Sequence, residues 1–392
     1  MGLRTQFVHL YVKDETSGSN SFDDYGLYTQ VEQLNKTALK AHGLDKSGHL
    51  YKVNSFDFHR YEDTIKLADD PDYNQASFEG MLEIKGDTDH TKLIEMLDAL
   101  NDESQKIDDV LDTYFDTENL VYWLAFQILT GNCDTQNRNC YLYSPLNSNT
   151  WYFLDWDNDG MLRKLELSLT GFSDYASWER GASNYWGNVL FNRALRSKSF
   201  RSELDRAVKD LRSYLTETRL TKMIKHYREV TESLVFASPD IDNLPVTKDQ
   251  YEQIAAAIPS EIEENYKSFR ESFKKPMPFY IGVPQIDNGK LRINWDASYD
   301  FEARDIRYTV ELARDYAISD VVFKAEDVLL PEVTCDAPDT GQYFVRVRAT
   351  NSDGYTQDAF DYYVTDDGKH YGMKCFYVQD GGKVVEDTYE EG

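Results

Sequence analysis

The feature that most constrains the fold is a change of pattern at KKPMP, residues 274–278. Before it, apolar residues recur at helical spacing. Leu204, Val208, Leu211 and Leu215 stand at i, i+4, i+7 and i+11, and Ile262, Tyr266, Phe269 and Phe273 form a second stripe. Such stripes mark helix faces turned towards a core. After it come short alternating runs: LRINW (291–295), RYTVELA (307–313), YFVRVRAT (343–350) and AFDYYV (359–364), separated by the turn signals DNG, PDTG and NSDG. A period near 3.6 and a period of 2 belong to different elements, so the chain reads as α+β. The expected organisation is a first domain over 1–275, an all-β sandwich over 276–366 and a short β-hairpin with an acidic tail over 367–392.

The first domain carries strands as well. QFVHLYVK (6–13) and YGLYTQVEQ (25–33) read as two strands around the loop SGSNSFDD, and HLYKV (49–53) as a third. Residues 54–80 are polar and weakly patterned, and a helical region begins near Thr91. The spacing predicts a central helix over Thr117–Thr130, with Asp116 as N-cap and Gly131 as its C′ stop. Two aromatic-rich strands, 140–143 and 151–154, follow as a hairpin, and 190–235 is helical. Thr247…Gln250 and Ser260…Glu263 read as capping boxes of two helices separated by Pro259.

Charge narrows the function. The chain has 392 residues, 42 Lys+Arg against 69 Asp+Glu, and a net charge of −27. From Pro276 onward there are 11 basic and 23 acidic residues (net −12), and before it 31 and 46 (net −15), so the acidity is no detachable tail. A nucleic-acid binder carries a basic footprint, and this chain has none. Most of the acidity reads as solvated surface, and some acids are candidates to hold cations. Four Cys are too few for a disulfide framework, and the longest apolar stretch, Val121–Leu129, is interrupted by Gln127 and too short to span a bilayer. The opening MGLRTQFVHLYVK lacks the apolar core of a signal peptide.

The densest polar cluster is GNCDTQNRNCYLY…WYFLDWDNDG, residues 131–160. One reading is phosphoryl transfer: Asp134 and Asn139 have the D-x-x-x-x-N spacing of a kinase catalytic loop, the Asp to accept a hydroxyl proton and the Asn to hold a metal. Asp157 then follows an aromatic hairpin, placed like the metal-binding Asp of kinases. G-x-G-x-x-G, V-A-I-K, D-F-G and A-P-E motifs are missing. A second reading is calcium: Asp155, Asp157, Asp159, Gly160 and Glu166 satisfy the EF-hand loop pattern, although an EF-hand loop follows a helix and here WYFL precedes it. The third reading is that these residues merely cap and turn loops. Cys133 and Cys140, seven apart with no second pair, read as small core side chains rather than a zinc site.

From Phe7 to about Tyr227 the chain resembles the CotH kinase family, named for spore coat protein H. FVHLYVK…YGLYTQVEQLNKTALK…GHLYK, LTGNCDTQNRNCYLY and WYFLDWDNDG carry the resemblance. It implies a kinase-like fold, with a small β-rich N-terminal part and a helical lobe, that uses ATP and Mg²⁺ or Mn²⁺ to phosphorylate a protein substrate such as a surface or coat protein. It implies Asp134 as catalytic Asp, Asp157 as the metal-binding Asp of W-D-x-D, Asn139 and Asp159 as accompanying positions, and Glu32 and Lys52 as nucleotide-site residues. The family often has Pro before W-D where this chain has Asp155, an acid that either adds a ligand or repels phosphate. The resemblance also implies further strands and a phosphate-clamping basic residue ahead of the point where this chain begins. The segment after Phe279 resembles a fibronectin type III domain, on Trp295 in LRINW and on Tyr343 as a core or corner tyrosine. Together these imply an extracellular or cell-surface setting. The alternative is a non-catalytic surface or adhesion module whose acids bind a divalent cation such as Ca²⁺.

Overall fold

The computed structural model describes residues 2–18, 20–171, 176–366 and 368–387. The chain divides into two compact units, one of Met1–Ser173 with Asn188–Tyr266 and one of Asp174–Gly187 with Lys267–Gly392. The second unit takes in Asp174–Gly187 and resumes at Lys267, whereas the sequence places the change at 275. The Ala182 amide donates to Ser272 Oγ at 3.1 Å, the Trp178 indole donates to Ala359 O at 3.2 Å, and Trp178 meets the Phe360 ring edge-on at 5.0 Å. Contacts between residues 90 and 181 positions apart leave no trace in a local pattern.

The first unit opens with β1 (Thr5–Val12) and β2 (Asp23–Val31), an antiparallel ribbon. After α1 (Lys36–Ala41) come β3 (His49–Val53), α2 (Gln75–Met81), β4 (Leu82–Ile84), α3 (Thr91–Asn101), α4 (Ile107–Tyr114), α5 (Thr117–Thr130), β5 (Cys140–Ser144) and β6 (Tyr152–Asp155). The strands form one antiparallel sheet in the order β4-β3-β5-β6. Because side chains alternate across a strand, the sheet has two working faces. Leu50, Tyr141, Tyr143 and Leu154 pack with Leu34, Ala38 and Leu39 around α1, while Phe153 on the opposite face meets Trp123 of α5 at 4.8 Å. The unit continues through α6 (Lys164–Leu169), α7 (Val189–Arg196), α8 (Lys198–Tyr214), α9 (Glu217–Val235) and α10 (Lys248–Ser272), whose residues from Lys267 on belong to the second unit.

The central helix forms as its sequence dictates. The Asp116 carboxylate accepts from the Asn119 amide at 2.8 Å, and Gly131 ends the helix in the left-handed region, φ 65°. The sequence and the fold disagree at α10. Thr247 and Gln250 do make their reciprocal cap, at 2.8 and 3.3 Å, but the helix runs straight through Pro259, and Ser260 Oγ donates to Ala257 O instead of capping a new helix. A proline removes one backbone donor, and beyond it Ile262 and Phe269 are both about 1% exposed.

The second unit is built from β7 (Gln285–Asp287), β8 (Lys290–Asn294), β9 (Ile306–Ala313), β10 (Val321–Val328), β11 (Glu332–Asp336), β12 (Gly341–Asn351), β13 (Thr356–Asp358), β14 (Tyr362–Thr365), β15 (Gly368–Tyr371), β16 (Met373–Val378) and β17 (Val384–Glu386). One sheet runs β11-β8-β7 and the other β10-β9-β12-β16-β17, with β13 also on β12. Leu291 and Ile293 from the first share a core with Val310, Leu312, Val345 and Val347 from the second, the arrangement of a sandwich. Tyr343 is 1% exposed and its hydroxyl donates to Asp339 O at 3.0 Å. Residues 359–364 do not form a sandwich strand: β13 pairs with 348–350 and β16 with 341–346, so one edge line is interrupted by the β14–β15 pair. Of the expected hairpin and tail over 367–392, β16 and β17 lie within the larger sheet, and residues 367 and 388–392 lie outside the described residues.

Candidate active site

The site is assembled where α5 ends. Its last carbonyls lack helical partners, and the fold supplies them: Leu162 N–H donates to Thr130 O at 2.8 Å, and the buried Asn265 amide donates to Leu129 O at 3.0 Å. The loop beyond Gly131 is pinned at several points. Phe56 N–H donates to Asn137 O at 2.7 Å, and Asn188 Nδ2 donates to Gln136 O at 2.8 Å. Asn139 closes the loop in the left-handed region at φ 58°, which Asn tolerates better than most residues.

Across this loop Asn139 Nδ2 donates to Asp134 Oδ2 at 2.7 Å, while Arg138 Nε stands 3.7 Å from Asp134 Oδ1. Both members of the Arg138 pair are half exposed, so that contact contributes little. The second arm of the site leaves β6. Asp157 has φ 57°, and Asn158–Gly160 form a short 3-10 turn. Partial desolvation raises the Asp157 carboxyl above the ordinary range, the charges of Asp159 and Asp134 raise it further, and Lys52 opposes them. Asp157 is therefore within electrostatic reach of Asp159, Asp134 and Lys52.

Lys52 lies in the middle of the sheet. It pairs opposite Tyr141 on β5 and Glu83 on β4, and Tyr141 pairs opposite Leu154. Trp156 extends this row: its ring meets Tyr141 edge-on at 5.4 Å, and Lys52 Nζ stands 6.0 Å from its centroid. Glu32, expected beside the nucleotide, is occupied elsewhere. It takes hydrogen bonds from the Arg4 guanidinium and from Arg4 N at 3.2 Å, and pairs with His42 Nε2 at 2.8 Å. The Arg4 guanidinium, helped by His42, pulls its carboxyl down to about 2.

Three residues that the sequence reading left aside bind the two arms together. Gln127 Nε2 donates to Asp155 Oδ1 at 3.2 Å and Asn158 Oδ1 at 3.3 Å, and its Oε1 accepts from Asn132 Nδ2 at 3.0 Å. Asn132 Oδ1 in turn accepts from the Asp134 amide at 3.2 Å. The signal was present: Gln127 is a polar interruption in the apolar run Val121–Leu129, and it is fully buried. Asp155 turns to this network, and its burial raises its carboxyl. The EF-hand frame is absent here, because strand β6 leads into the loop and Glu166 is held by Arg163 through two hydrogen bonds of 2.8 Å.

Among the described residues no three His, Cys, Asp or Glu side chains group as a ready-made metal cage. No described helix is long and apolar enough to cross a membrane. No curated protein matches the chain. A solved structure of the twitchin kinase region from C. elegans is similar at 18% identity and a TM-score of 0.19, over 24% of this chain and 20% of that one. The family model described as CotH kinase protein matches residues 1–269, well over half of the chain. The chain therefore belongs to the CotH kinase family.

Proposed function

We propose that the chain transfers the γ-phosphoryl group of ATP to a protein hydroxyl with the help of a divalent metal. The observation that supports this most is the close approach of the Asp157–Gly160 turn to the Asp134 loop, where a Cβ at Gly160 would stand 3.5 Å from Asp134 Cβ, in a chain of the CotH kinase family. The Asp157 carboxyl, raised by desolvation and by the charges of Asp159 and Asp134, favours a cation beside it, and the Asn139 amide oxygen adds an oxygen donor of the kind Mg²⁺ or Mn²⁺ takes. Asp157 and Asn139 are the residues to hold the metal, with Asp159 in support. When bound, the metal supplies neutralising charge for the phosphate oxygens.

Asp134 orients the acceptor hydroxyl and takes its proton as the oxygen attacks the γ-phosphorus and the bond to the β–γ bridging oxygen breaks, releasing ADP. Lys52 is placed to bind a phosphate oxygen as a point charge. By family resemblance, and by the resemblance of the second unit to fibronectin type III modules, the proposed setting is extracellular or at the cell surface.

Incubation with γ-labelled ATP, Mg²⁺ or Mn²⁺ and a generic protein acceptor tests the reading. Wild type incorporates label, and Asp134→Ala and Asp157→Ala lose about 10²–10⁴-fold. Equal incorporation by all three rejects these assignments. Tight Ca²⁺ binding by calorimetry, without any nucleotide binding, favours instead a non-catalytic cation-binding module.

A further inference from the structure

We propose that Gln127 is the positioning residue of the site: its carboxamide joins the loop carrying Asp134 to the turn carrying Asp157, and so sets their separation. The inference rests on the kinase reading above for its consequence, but on geometry for its substance. One face of the amide donates to Asp155 at the end of β6 (3.2 Å) and to Asn158 in the 3-10 turn (3.3 Å); the other accepts from Asn132 at the start of the loop (3.0 Å). Asn132 Nδ2 also reaches Asn158 Oδ1 at 3.4 Å, so three amides and one carboxylate bridge the two arms.

Backbone pairing joins the arms at their bases, Cys140 opposite Asp155 and Leu162 N–H on Thr130 O, and the side-chain amides join them between those points. Loop 131–139 belongs to the connection between α5 and β5, and the turn 157–160 follows β6. A glutamine is chemically apt here because it both donates and accepts. A leucine of similar length would leave the Asn132 donor and the Asp155 acceptor buried without this partner, and a buried polar group left unsatisfied destabilises its local geometry. Gln127 is fully buried and sits on a helix, a rigid base for a site that depends on the placement of two loops.

The test separates coupling from chemistry. Backbone hydrogen exchange of the full chain is compared for wild type and Gln127→Leu. Exchange is expected to rise in 131–135 and in 157–162 together, with the β1–β2 ribbon unchanged. Loosening of one segment alone, of neither, or of the whole unit overturns the coupling, whether or not the chain is a kinase. Where wild type transfers phosphate, Gln127→Leu is expected to lower kcat about 10–100-fold with KM for ATP within about threefold, since misplacement of about 1 Å has effects of that size. The double variant Gln127→Glu/Asp155→Asn reverses donor and acceptor between these two positions, with the Asn158 amide turned to donate to the new carboxylate, and is expected to recover most of the loss. A double variant no better than Gln127→Leu, or a single variant that changes only KM, overturns the positioning role. An inactive wild type with coupled exchange rejects the kinase reading and leaves the coupling standing.

Discussion

Asn139 donates from its side-chain amide to Asp134 Oδ2 at 2.7 Å, across a loop that leaves both residues on one side of the site. The bond uses the amide nitrogen of Asn139, so under the proposed function one side chain both holds Asp134 in place and offers its amide oxygen to a cation. Asn139→Ala removes both contributions. Loss of a residue that orients a base or supports a metal typically costs about 10–100-fold in affinity or activity. We expect label transfer to fall by that factor, with part of the loss recovered at raised Mn²⁺. Unchanged transfer at all metal concentrations removes Asn139 from the site.

Glu32 gives a pH dependence whose sign follows from its partners. Its carboxyl falls from the usual 4.5 to about 2 in the folded chain because Arg4 and His42 bind the charged form. The folded state therefore holds this proton less readily than the unfolded chain. The stabilisation is fully present above the unfolded value and is lost as pH falls through about 2. Thermal melts of wild type and Glu32→Gln are expected to differ at pH 6 and to converge as pH falls below about 4. A gap that persists undiminished at pH 2.5 shows that the difference does not come from this charge.

The legible parts of the fold were those encoded over a few neighbouring residues. Asp116 and Gly131 bound α5 because a cap and a left-handed stop are local chemistry. The hairpin before Asp157 was visible because its strands alternate and are close in sequence. Pro259 misled because the helix runs on through it, and its later turns are held by partners such as Leu129 O, which accepts from Asn265 Nδ2 136 residues away. The partners of Glu32 were not legible either: its charge is met by Arg4, 28 residues upstream, and by His42. In the site, the acids were visible as a cluster, whereas the amides linking them were not, since Gln127, Asn132 and Asn158 acquire meaning only when α5, the loop and the turn are brought together.

His90 carries a second pH prediction, of opposite chemistry. It is fully buried, paired through Nδ1 with the Tyr51 hydroxyl at 2.8 Å and through Nε2 with that of Tyr73 at 3.2 Å, and stacked on Phe78 at 4.2 Å. Burial lowers its pKa, and that of His49, below the ordinary histidine value, despite the nearby acids. The unfolded chain takes up protons near pH 6.5 that the folded chain refuses, so stability falls as pH drops below that value. We expect the melting temperature to decline between pH 7 and pH 5.5, with a shallower decline for His90→Gln. His90→Phe should cost about 1–3 kcal/mol at pH 7 by leaving tyrosine hydroxyls without this partner. Identical slopes for wild type and His90→Gln assign the acid sensitivity to other groups.

Gly160 is where the turn touches the loop. A Cβ added there stands 2.7 Å from Asn132 Oδ1 and 3.5 Å from Asp134 Cβ. The first distance is shorter than ordinary packing allows, and Asn132 is only 2% exposed and tied to Gln127 and to the Asp134 amide. It cannot withdraw without giving up those bonds. Gly160→Ala should therefore push the loop and the turn apart at a cost of about 1–3 kcal/mol, as overpacking does. Because the strain falls between Asp134 and Asp157, activity should suffer more than stability: about 10–100-fold in kcat, with the urea midpoint moving only modestly. The alternative, that the turn yields freely, predicts near-wild-type turnover and an unchanged midpoint. Measuring both on the same preparation decides between them, and a large loss of stability with full activity in the remaining folded fraction would place the strain outside the site.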